Sequence, residues 1–205
     1  MNKNKIKASI VELKKNLSEN ARAREILNEL EEISQNLPDS KPLEFTPGEK
    51  VDFYLYSDGA CRGNPGIGSW ASIALNSKGE TLFEACSLDD HTTNNKMELT
   101  GALKAMELIL DYAKDEGIKD FSAALYTDSK YVSEGMNSWR HNWKKRGWKK
   151  SDGSALQNLE LWKSLDELSQ RFSNLKFNWV KGHNNHPQNE RCDELCNEVL
   201  DRSSY

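Results

Sequence analysis

No apolar run in this 205-residue chain approaches the roughly 20 residues needed to span a bilayer. A charged fraction of 29% argues the same way, so no membrane role is expected. The first seven residues are lysine-rich, but no apolar stretch of the secretory kind follows them, and a cytoplasmic location is the expectation. Cysteine is scarce. Cys61, Cys86, Cys192 and Cys196 are too few for a dense disulfide framework in a chain of this length, and reduced, buried thiols are the simple reading. A net positive charge is missing too: the formal charge is -4, so any affinity for nucleic acid must come from how charge is distributed. Aromatic residues are nearly absent from the first fifty positions, where Phe45 stands alone.

What is present divides near residues 38–50. Before that stretch, Ile6, Ile10, Leu13 and Leu17, then Ile26, Leu30, Ile33 and Leu37, recur at helical spacing. Residues 1–37 are therefore predicted to form a two-helix appendage. Pro38, Pro42, Pro47 and Gly48 mark residues 38–50 as a linker. From residue 51 the period changes to two, with Val51, Phe53, Leu55 and Ser57 alternating against Asp52, Tyr54 and Tyr56. Strands are expected at 51–57, 69–75, 81–87, 121–126 and 175–180. Helices are expected at 95–114, from near Ser129, at 156–172 and at 188–200. That order gives an α/β class for residues 51–205: a mixed five-stranded sheet flanked by helices, with the N-terminal helical appendage added.

Four acids stand out by position. Asp58 is expected to follow the first strand directly and Asp128 the strand ending at Tyr126, which puts both at one sheet edge, where ligands of such folds bind. Glu98 falls in the first turns of a long helix and Asp193 near the start of the last one. Converging carboxylates without basic partners repel one another, and hard cations such as Mg²⁺ relieve that repulsion. Two such ions about 4 Å apart can activate a water and stabilise the leaving oxygen of a phosphodiester. The plain alternative is that each acid is a solvated surface group, and spacing alone does not decide between them.

The surrounding motifs add a resemblance. Tyr56-Ser57-Asp58-Gly59-Ala60-Cys61-Arg62-Gly63-Asn64-Pro65-Gly66, Thr92-Thr93-Asn94-Asn95-Lys96-Met97-Glu98-Leu99, Tyr126-Thr127-Asp128-Ser129, and Trp179-Val180-Lys181-Gly182-His183 with Asn189-Glu190-Arg191-Cys192-Asp193-Glu194 resemble, in order and spacing, the motifs of bacterial-type type 1 ribonucleases H. The match runs from about residue 51 to 200. The resemblance implies a ribonuclease H-like fold and an endonuclease that hydrolyses the RNA strand of RNA–DNA hybrids, leaving 3′-hydroxyl and 5′-phosphate ends. It implies two Mg²⁺ ions, with Mn²⁺ a possible substitute. Asp58 would bridge both ions, Glu98 and Asp128 would hold one, and Asp193 would complete the other. His183 would assist proton transfer or product departure, and its free pKa near 6.5 suits that work.

By the same resemblance, Cys61, Asn64, Asn94 and Asn95 would contact the hybrid's minor groove, where 2′-hydroxyls distinguish RNA from DNA. Thr93 and Asn158 match positions that hold a DNA phosphate. The stretch from Trp139 to Lys150 contains no acid and three of the six tryptophans. Phosphate neutralisation explains such a segment on an acidic chain, and in the family it handles the DNA strand. Trp139, Trp143, Lys144, Lys145, Arg146 and Trp148 are thus candidate substrate contacts. The plain alternative is a charged helix with its tryptophans in the core, which suits Trp139. The glycines around Asn64 have the wrong order for a dinucleotide loop and fit a tight turn.

His183, His186, Cys192 and Cys196 invite a zinc reading, although their spacing is loose and would enclose Asp193. A silent hybrid-binding module would have lost a carboxylate, and all four are present. A strand-transfer or junction-cutting nuclease shares the carboxylates but lacks a reason for the asparagine pair. Residues 1–50 do not resemble the family's basic, aromatic hybrid-binding module. A monomer is expected, with packing or self-association of the N-terminal helices preferred to hybrid binding.

Overall fold

A computed structural model describes Leu13 and residues 21–36, 48–182 and 186–203. Most of the first expected helix, most of the linker and His183 lie outside the described residues. The chain divides into two compact units, residues 1–43 and 44–205. In the first, α1 (Ala21–Asn36) is the second of the two expected helices.

The second unit is built on five strands, β1 (Phe53–Gly63), β2 (Gly66–Asn76), β3 (Thr81–Thr92), β4 (Ser122–Thr127) and β5 (Asn174–Trp179), in the order β3-β2-β1-β4-β5. The first three pair as an antiparallel meander, while β4 lies parallel to both β1 and β5. The sheet is mixed, as the order of elements predicts. α2 (Asn94–Asp115) crosses from β3 to β4, and α3 (Lys130–Glu134), a π-helical turn (Gly135–Trp139) and α4 (Arg140–Lys145) follow one another after β4. α5 (Leu159–Ser169) precedes β5, and α6 (Pro187–Arg202) closes the fold.

Alternation along β1 explains the layering. Phe53 and Leu55 join a core with Leu99, Met106, Ile109, Trp162 and Leu165 from α2 and α5. Tyr54 and Tyr56 join a second core with Ile73, Leu75, Cys192, Leu195 and Cys196. β1 is therefore buried on both faces, which is why it carries large side chains at consecutive positions.

Among the boundaries that differ from expectation, two bear on the site and its surroundings. β1 continues through Asp58 to Gly63, because β2 offers it an unbroken antiparallel partner from Phe53↔Asn76 to Gly63↔Gly66. The helix expected at 156–172 begins only at Leu159, because Asn158 before it is left-handed, with φ 56°.

Candidate active site

Asp58 lies within β1 and not after it, a correction to the sequence-based expectation. Its position remains special. The parallel ladder of β1 with β4 ends at Tyr56↔Tyr126, so Asp58 stands just past the point where β4 stops covering that edge. Asp128 follows the last residue of β4. Glu98 comes in on α2, whose N-terminus is capped by the Thr93 side chain accepting from the Lys96 N–H. Gly59 sets how near that helix comes: a Cβ there would overlap the Glu98 amide nitrogen and the Met97 carbonyl carbon. Only glycine permits this contact between strand and helix backbones.

Asp58, Glu98 and Asp128 each present an oxygen, and the three oxygens lie within 4.8 Å of one another. Asp58 and Glu98 are buried, and Asp128 is half-buried. The Gly59 N–H donates to Asp58 Oδ1 at 2.8 Å, and the Asn94 side chain donates to Glu98 Oε1 at 3.3 Å. Glu98 Oε2 and Asp128 Oδ1 are buried without a hydrogen-bond partner among the described residues. Burial, then the Asp128 charge, pushes Asp58 up to about 7, against the smaller lowering effect of the Gly59 N–H. Glu98 is raised well above the usual carboxylate range by burial and then by Asp58 and Asp128. Buried acceptors with free lone pairs are costly alone. All-oxygen donors of this kind fit a hard divalent cation.

Asp193 is half-buried on α6 and lies outside this group of three, although its charge adds to the upward push on Asp58. Asn197 donates to its Oδ1 at 3.1 Å. α6 is tied to the sheet directly beneath the acids: Ser69 Oγ donates to the Cys196 carbonyl, and the Cys196 thiol points to the Asp58 carbonyl. Cys192 and Cys196 are core residues whose thiols burial pushes up, the reverse of what a thiolate ligand for zinc needs. His186 precedes Pro187 at the N-cap of α6.

The model of the RNase H family matches residues 50–201. The chain belongs to the RNase H family. It is similar to the ribonuclease H of Nitrosomonas eutropha, at 44% identity over 147 residues, covering 72% of this chain and 88% of that protein. The ribonuclease HI of Caulobacter vibrioides is 44% identical over 146 residues, covering 71% and 91%. Among solved structures, LC11-RNase H1 in complex with an RNA/DNA hybrid matches with a TM-score of 0.59 at 25% identity, covering 75% of this chain and 99% of that one.

Around this RNase H family site, the β1–β2 turn meets the start of α2. Cys61 is half-buried with its thiol toward the Thr92 carbonyl at 3.6 Å, and the exposed Asn64 accepts from the Asn94 N–H at 3.3 Å. Asn94 and Asn95 are exposed beside Thr93, so these five residues share one edge. Asn94 also reaches Glu98, a link that sequence spacing on a helix could have suggested.

The basic segment is less uniform than its composition implies. Lys144 forms an ion pair with Asp166 at 2.7 Å, and Arg140 reaches the same carboxylate at 3.3 Å. Asp166 is only 7% exposed, so it neutralises the part of the segment nearest the core. Lys145 and Arg146 are exposed and have no ion pair among the described residues. Trp139 and Trp143 pack at 5.8 Å, and Trp143 packs edge-on to Trp162 at 5.1 Å. With Tyr131, Arg146 and Lys150 they line an open cavity of about 410 Å³. Trp148 is half-buried at φ 63°, and Asn158 is half-buried immediately before α5. Sequence reasoning missed Gly59, Asp166 and the indole of Trp179, whose Nε1–H donates to the Asp128 carbonyl at 2.9 Å. Gly59 and Trp179 both sit inside the quoted motifs. Asp166 carries no local signal.

Proposed function

We propose that this chain is an endonuclease that hydrolyses the RNA strand of RNA–DNA hybrids and leaves 3′-hydroxyl and 5′-phosphate ends. The observation that carries the reading is the convergence of Asp58, Glu98 and Asp128, with two buried carboxylate oxygens unpaired among the described residues, in a chain of the RNase H family. The hybrid bound in the LC11-RNase H1 structure supports the substrate class.

Asp58, Glu98, Asp128 and Asp193 would hold two Mg²⁺ ions, or Mn²⁺ in their place. When bound, such ions lower the pKa of a water and stabilise the departing oxygen of the phosphodiester. The Gly59 N–H orients Asp58, and Asn94 orients Glu98. Asn94 and Asn95, with Cys61 and Asn64, offer polar groups to 2′-hydroxyls at the same edge. Thr93 and Asn158 hold a phosphate of the DNA strand. Trp139, Trp143, Trp148, Lys145 and Arg146 guide that strand, with Lys144 contributing once drawn from Asp166. His183 relays a proton or aids product departure. In this reading residues 51–205 form the catalytic domain, 38–50 a linker and 1–37 a helical extension, and the protein acts as a cytoplasmic monomer.

The test incubates the protein with a hybrid, single-stranded RNA and double-stranded RNA, each with Mg²⁺ or Mn²⁺ and then with chelator. Cleavage is expected for the hybrid alone and is lost with chelator. Survival of the hybrid in both metals defeats the reading.

A further inference from the structure

Trp179 ends β5 and is 46% exposed. Its one polar atom is nonetheless turned inward, onto the main-chain oxygen of Asp128 at 2.9 Å. The reason lies in the backbone at that point. The β4–β5 ladder has its last rung at Thr127↔Trp179, and the helix that follows is capped by Ser129, whose carbonyl accepts the first helical bond from Ser133. Asp128 stands between the two, so neither sheet nor helix provides a donor for its carbonyl. The indole N–H takes that place and extends the ladder by one bond.

Other contacts surround the same residue. The Val180 N–H donates to the Thr127 carbonyl at 3.0 Å, and the Ser129 N–H donates to Thr127 Oγ1 at 3.1 Å. The chain leaving β5 passes against the Asp128 carboxylate: a Cβ on Gly182 would lie 2.6 Å from its Oδ2. On the outer side, Lys130 Nζ sits 5.1 Å from the Trp179 ring centroid and holds the ring by a cation–π contact.

We propose that Trp179 is a positioning residue, whose indole N–H fixes the Asp128 peptide and thereby aims its carboxylate at Asp58 and Glu98. Of the three acids, Asp128 has the greatest need of such a tether. Asp58 is held by a paired strand and Glu98 by a helix, whereas Asp128 is the one not fully buried and has the freest path away from two like charges. A fixed peptide denies it that relaxation, and the cation site stays formed. The inference rests on the reading of these carboxylates as a cation site.

Trp179→Phe tests it, because an aromatic ring is kept beside Lys130 while the N–H is removed. The metal-free variant and parent are titrated with Mn²⁺, and the free-ion paramagnetic signal gives the dissociation constant without any turnover. Thermal unfolding of both proteins is recorded alongside. The expected result is an Mn²⁺ affinity about three- to tenfold weaker, the range for loss of one hydrogen bond. A matching fall in hybrid kcat at fixed, limiting metal and an almost unchanged KM are expected as well. Equal Mn²⁺ affinity in variant and parent overturns the proposal, and so does a rise in KM alone, which would make the ring a substrate contact. If the parent binds Mn²⁺ but leaves the hybrid intact, the proposed function fails while the affinity comparison still judges Trp179.

Discussion

The acidic site and the basic segment both concentrate charge of one sign, and the fold treats them in opposite ways. Asp58, Glu98 and Asp128 are far apart in sequence, yet their oxygens converge within 4.8 Å, with no basic side chain paired to them among the described residues. Residues 139–150 are contiguous, yet their charges disperse: Arg140 and Lys144 turn to the buried Asp166, while Lys145 and Arg146 remain in solvent. Like charge crowded in sequence is therefore a poor guide to like charge crowded in space. The site that stores repulsion is the one assembled from a strand, a strand end and a helix.

The contrast can be broken most sharply at Asp128. Asp128→Asn should lower hybrid cleavage by about a thousandfold or more, equivalent to roughly 4 kcal/mol in the barrier. Hybrid binding, followed by fluorescence anisotropy, should remain measurable. Next in size is Gly59→Ala, which forces β1 and α2 apart where their backbones meet. A destabilisation of about 1–3 kcal/mol in chemical denaturation is expected, together with weaker metal binding by calorimetry. On the basic side, Asp166→Ala should cost about 1–2 kcal/mol, because Arg140 is left partly buried without its carboxylate. The same change should not weaken hybrid binding, since Lys144 is released. Arg146→Ala, by contrast, should weaken binding and reduce the slope of log affinity against log salt by about one.

The smallest effect concerns pH. Asp58 is pushed up to about 7 in the folded protein from an ordinary value of 3.8, so the folded form holds this proton more tightly than the unfolded one between those values. Its contribution to stability is present below about 4 and is lost as pH rises through 7. Metal-free protein in chelator should therefore gain on Asp58→Asn at pH 8 and gain little at pH 4. Melting temperatures that move in parallel at both pH values would remove the repulsion from the acidic side of the comparison.

Much of this was legible in the sequence because it depended on period and order. Alternation at Phe53–Tyr56 and the spacing in α2 identified the sheet and the helix that bring Asp58, Asp128 and Glu98 together. Asp58 was misplaced at a strand end because alternation fades after Ser57, while the β2 pairing that carries β1 on to Gly63 depends on main-chain hydrogen bonds. Family motifs supplied the ranking of the acids, which periodicity could not. Asp166 stayed hidden because its cationic partners are more than twenty residues away and its neighbours on α5 give no sign of them. Trp179 stayed hidden because its role lies in one N–H meeting a carbonyl that belongs to no regular element.

The contact at Gly59 has a consequence for how this protein tolerates change. Where strand and helix meet main chain to main chain, the spacing of Asp58 and Glu98 is fixed by peptide geometry and owes little to the girth of any side chain. Apolar exchanges two or three turns farther along α2, at Met106 or Ile109, are therefore expected to alter packing density more than the spacing of the two carboxylates. A backbone contact at the edge of the core thus sets a dimension of the site that side-chain size does not.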